Sequence, residues 1–119
     1  MNLYRIIPEE DWIKTKTDGK VPRCNSDKRA GHIHLNIFED IKIEANKYFT
    51  KEEKPVVVEV DATDLEEKIF WGNPTKEKPW KQIYLRSDNI EFRYIKRFCY
   101  LIPDPKKSND FEIGEFIDL

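Results

Sequence analysis

Hydrophobic and polar positions change rhythm several times along the chain, and each change marks an element. Residues 2–7 read NLYRII, an extended apolar run that predicts a first strand. Pro8 then opens PEEDWIK, a short helix. Proline at a helix start loses no needed N–H, and Glu9, Glu10 and Asp11 suit the positive end of the helix dipole. Residues 31–36 (GHIHLN) alternate as a second strand. Asn36 with Glu39 resembles a capping box, followed by Phe38, Ile41, Ala45, Tyr48 and Phe49 at helical spacing, a face expected in the core. PVVVEVD at 55–61 is dense in β-branched residues and predicts a buried strand. KIFWG (68–72) and QIYLR (82–86) predict two more strands, separated by a loop with Asn-Pro and Lys-Pro turn signals. IEFRYIKRFCYL (90–101) alternates in its first half, and Pro103 and Pro105 end regular structure. Residues 1–103 are thus expected to form one α+β domain, and 104–119 an acidic and apolar C-terminal tail. A free tail carrying Phe111, Ile113, Phe116, Ile117 and Leu119 should dock, on its own domain, on a second copy, or on a protein partner.

Residues 15–30 show no period. They carry Lys16, Lys20, Arg23, Lys28 and Arg29 against Asp18 and Asp27, and read either as a solvated loop or as an anion-binding flap.

Composition narrows the class. The chain has 119 residues, enough for one domain, and three Trp, five Tyr and seven Phe supply a core. Charged residues make up 37%, yet the net charge is only −2, which argues against a general nucleic-acid coat. Two cysteines, Cys24 and Cys99, are too few for a disulfide scaffold and read as free thiols. No run resembles a signal peptide or a membrane span, so a cytoplasmic protein with no membrane partner is expected.

His32 and His34 are the only histidines. On a strand they share one face with Asn36, while Ile33, Leu35 and Ile37 take the other, so the histidines should face a cleft or solvent. Zinc requires three or four ligands, and no third histidine exists, so no metal is expected. A glycine-rich phosphate loop is also missing.

The ordered set LYRI, Trp12, GHIHLN, VVVEVD, IFWG and QIYL, spread over residues 3–101, resembles the bacterial domain of unknown function 952 family. The resemblance implies a compact ADP-ribosyltransferase-like fold: a split mixed β-sheet, two main helices on one side, and a nucleotide cleft between half-sheets. It implies that Arg5, His32, His34, Asn36, Trp71, Gln82 and Tyr84 bind the ligand, an NAD- or ADP-ribose-like nucleotide. Gln82 stands where that family usually has histidine and Trp71-Gly72 where it has Trp-Glu, so the resemblance implies weak or lost catalysis, with no catalytic residue assigned. Two alternatives remain open. One is group transfer on NAD or on a phosphorylated RNA end, with Arg5, Arg23, Arg29 and Lys81 as the basic groups. The other is an interaction module acting through the tail.

Overall fold

A computed structural model describes residues 1–22, 31–107 and 109–119. It is an α+β structure. β1 (Asn2–Ile7), β4 (Val56–Asp61), β8 (Ile95–Pro103) and β10 (Ile117–Asp118) lie side by side in that order, and β9 (Phe111–Ile113) also pairs with β8. A second sheet has the order β3 (Ile33–Leu35), β6 (Gln82–Leu85), β5 (Ile69–Gly72). β2 (Lys20–Pro22) and β7 (Asn89–Glu91) form a small ribbon. All these pairings are antiparallel.

The near-continuous valine run of β4 follows from its place at the centre. Val56, Val58 and Val60 join Leu3, Ile7, Ile33, Leu35, Ile83 and Leu85 in one buried cluster, while Val57 joins Tyr4, Ile6, Cys99, Leu101 and Phe111 on the opposite face. The first cluster also takes Trp12 of α1 (Glu9–Asp18); the second takes Ile41 and Ala45 of α2 (Ile41–Tyr48). The two helices therefore cover opposite faces of the main sheet, where the family resemblance put them on one side. Burial on both faces removes the alternation that a one-sided strand would show.

Three expectations change. The segment from Thr15 is not aperiodic throughout: α1 continues to Asp18, Gly19 closes it in the left-handed region at φ 77°, and β2 follows. Arg23, Cys24, Lys28 and Arg29 lie outside the described residues. The capping box foreseen at Asn36 does not form, because Asn36 is buried and its side-chain amide donates to Glu44 instead. A box of that kind closes at Thr50 and Glu53, where each side chain meets the other's backbone. The helical face also narrows. A 3-10 turn over Phe38–Asp40 precedes α2 and rotates Phe38 out, so Phe38 and Tyr48 stay exposed while Ile41 and Ala45 are buried.

Candidate functional site

Among the described residues one backbone bridge links the two sheets. Tyr4 and Asn36 exchange backbone hydrogen bonds of 2.8 and 2.7 Å, and beyond this bridge β1 and β3 separate. Arg5 follows the bridge on β1. It is only 7% exposed, and its Nη1 donates to the His34 carbonyl at 2.9 Å, spanning the split. A cleft of about 370 Å³ opens here. Arg5, Ile6, Ile7 and Pro8 form one wall with Asp11 of α1; His34, Glu44, Tyr48 and Phe49 supply another; and Glu53, Lys78 and Trp80 complete the lining.

Trp80 is held in place from three directions. Its ring meets Tyr48 edge to face at 5.5 Å, the Lys47 ammonium lies 5.5 Å from its centroid, and its carbonyl accepts a 3.1 Å hydrogen bond from Gln82 Nε2. Lys47 also donates to the Glu77 carbonyl, which ties residues 77–80 to α2. The cleft thus combines two cations (Arg5, Lys78), three carboxylates (Asp11, Glu44, Glu53) and aromatic surface from Tyr48, Phe49 and Trp80.

Of the residues singled out in the sequence, Arg5 and His34 line this cleft together. Asn36 stands beside it, with its backbone taken by Tyr4 and its amide by Glu44. His32 and His34 do share a face, and both rings meet Tyr84, at 4.1 and 5.1 Å. Gln82 and Tyr84 also share a face, and the Tyr84 hydroxyl donates to Gln82 Oε1 at 2.6 Å. Gln82 is buried, and its Nε2 faces the carbonyls of Trp80 and Lys78. Trp71 goes elsewhere: its register partner is Ile83, on the face opposite Tyr84, and Lys81 Nζ lies 5.7 Å from its ring centroid. Lys81 is not among the residues that line the cleft with Arg5, and its backbone N–H donates to Asp40 Oδ2. The aromatic wall sought in Trp71 is supplied by Trp80 and Tyr48.

Asp11, Glu44, Glu53 and Lys78 belong to no motif and look like ordinary surface charges in the sequence. Glu44 and Tyr48 do stand four apart on α2, the spacing that puts two side chains on one helix face. Among the described residues, no group of three or more His, Cys, Asp or Glu is arranged to hold a metal ion.

A second polar cluster lies behind the bridge. Glu59 is 3% exposed; its Oε1 accepts from Tyr4 Oη at 2.9 Å and from Arg97 Nη2 at 3.0 Å. The Arg97 guanidinium holds the Glu59 carboxyl below its ordinary range, against the opposing effect of burial. Burial and the Glu59 carboxylate push the Tyr4 hydroxyl up to about 12. Arg97 also covers Phe116 at 4.8 Å. Every group here is engaged with another side chain of the cluster, so it reads as a structural brace.

The chain matches the profile of DUF952, a protein family of unknown function, over residues 6–93. It belongs to that family. Its fold is similar to that of the protein CC0527 from Caulobacter crescentus. The crystal structure of CC0527 has a TM-score of 0.79 at 21% identity, covering 94% of each chain. A solution structure of CC0527 has a TM-score of 0.72 at 22% identity, covering 91% of this chain and 90% of that one. No curated protein matches the chain. No helix among the described residues is long and apolar enough to cross a membrane.

Proposed function

We propose that this DUF952 domain binds a nucleotide-type ligand, of the NAD or ADP-ribose class, in the cleft between its sheets, with weak or lost catalysis. The observation that carries the reading is the convergence of Arg5 and His34 with Tyr48 and Trp80 on one cavity. A guanidinium and an ammonium suit phosphate oxygens, an exposed tyrosine ring suits a base, and carboxylates accept hydrogen bonds from ribose hydroxyls. The volume is in the range of small-molecule sites. The split of the sheets at the Tyr4–Asn36 bridge agrees with an ADP-ribosyltransferase-like architecture.

Catalysis is judged from Gln82. Its amide is committed to two carbonyls and to Tyr84, and an amide does not take a proton as a general base does. NAD turnover is therefore expected far below an ordinary enzyme rate of about 10 per second.

Calorimetric titration with NAD, ADP-ribose and AMP tests the proposal. Saturable binding of at least one is expected, weakened about tenfold by Tyr48→Ala through loss of ring contact. Absence of binding across the panel, or binding indifferent to both Tyr48→Ala and Arg5→Lys, would overturn it.

A further inference from the structure

Outside the cleft, the three-stranded sheet presents a second surface. The register sets His34, Tyr84 and Phe70 side by side across β3, β6 and β5. Continuing it by one residue sets His32, Arg86 and Lys68 beside them, and the Arg86 N–H donates to the Lys68 carbonyl at 2.9 Å. The row of rings thus runs next to a row holding His32, Arg86 and Lys68, two residues along each strand. The two rows touch: His32 meets Tyr84 at 4.1 Å, and the Arg86 guanidinium lies 4.1 Å over Phe70. Phe70 is 43% exposed although it is a large apolar side chain on an ordered strand. The reverse face of the same strands carries Ile33, Leu35, Ile69, Ile83 and Leu85, all buried, so Phe70 is not the core side of β5.

Charge selects the occupant. The chain has 23 Asp and Glu, yet residues 31–36, 68–72 and 81–86 contain none, while Lys68 and Arg86 stand in the row beside the rings; Lys81 lies with Trp71 on the opposite face. Two cations thus stand beside the ring row, on a face whose three strands carry no acid. Such a surface suits a polyanion whose repeating unit has a flat aromatic part. Bases stack on aromatic side chains and on arginine planes, and the phosphates meet the cations one row away.

We propose that this face binds a single-stranded nucleic acid, with Phe70 and Arg86 as its stacking platform and Lys68 and Arg86 as its phosphate contacts. The proposal is independent of the cleft ligand, because only His34 is common to both and Phe70, Arg86 and Lys68 lie outside the cleft lining.

The test is fluorescence anisotropy of a labelled eight-nucleotide oligouridylate with the full chain. Binding is expected to weaken as salt rises, to fall about tenfold or more in Phe70→Ala through lost stacking, and to be kept in Phe70→Tyr. Arg86→Ala should lower both affinity and salt dependence, and melting curves of each variant establish that it is folded. Nucleotide binding in the cleft should be unchanged in Phe70→Ala, which separates the two sites. No oligonucleotide binding, or equal affinity in wild type, Phe70→Ala and Arg86→Ala, would overturn the proposal. So would displacement of the oligonucleotide at equal charge by an acidic peptide lacking aromatic groups, which would make the face a docking site for acidic protein segments.

Discussion

Two side chains show how local chemistry decides what a position can do. Gln82 donates from Nε2 to the Trp80 and Lys78 carbonyls and accepts from Tyr84. Replacing it by glutamate removes the donor and sets an acceptor against two carbonyl oxygens. Gln82→Glu should therefore destabilise the fold by about 1–3 kcal/mol, the cost of leaving buried groups unsatisfied, and should not install a catalytic base. Chemical denaturation checks the first point and an NAD hydrolysis assay the second. Arg97 is the other case. Removing it leaves Glu59 buried without its cation. Arg97 is itself partly exposed, so the loss should be smaller than that of a fully buried pair, and chemical denaturation measures it. The pH dependence has a definite sign. Glu59 is lowered from its ordinary 4.5, so its contribution is complete above that value and is lost as pH falls through the lower folded-state value. Acid denaturation curves should show this loss in the wild type and lack it in Glu59→Gln.

The C-terminal elements bind the chain end to the sheet. Phe111 is fully buried against α2 and β8, Asn46 Oδ1 accepts the Phe111 N–H at 2.8 Å, and β10 pairs with Phe98 and Arg97. Between β9 and β10, Gly114 passes so close to β8 that an added Cβ would lie 2.5 Å from the Tyr100 carbonyl oxygen. Gly114→Ala should then cost about 1–3 kcal/mol through forced backbone movement. Deleting residues 108–119 should be worse, lowering the melting temperature by about 10 °C or more, because a buried phenylalanine and two strand pairings go together. Unchanged melting of either variant would show that the tail is not part of the fold's stability. The sequence announced the tail's need to dock through its five large apolar residues. It did not announce the partner, because strands two or three residues long have too few positions to show a period. The same shortness hid β2 and β7. Long or dense runs such as VVVEV and NLYRII were legible, since their burial leaves little choice of conformation. Trp80 escaped notice as a cleft residue because a tryptophan between Pro79 and Lys81 looks like a loop anchor, and only the approach of α2 gives it a function.

For the molecule as a whole, the main point is the split between sheets. Among the described residues, one pair of backbone hydrogen bonds links them, at Tyr4 and Asn36, and the cleft lies beside it. Arg5 and His34 could be placed at this split from strand alternation and family resemblance, whereas its carboxylates could not, because they arrive from α1, α2 and the turn at Glu53. The pairing of Arg86 with Phe70 was hidden for a different reason: they stand sixteen positions apart in the chain, and only the β5–β6 register brings them together. The cleft at the split is the proposed ligand site. This assignment is tested most directly by titrating ADP-ribose into isotopically labelled protein and following amide and indole N–H resonances. Shifts should concentrate at Arg5, His34, Tyr48, Lys78 and the Trp80 indole, with residues 111–118 undisturbed. Shifts absent at saturating ligand, or clustered away from these residues, would contradict it.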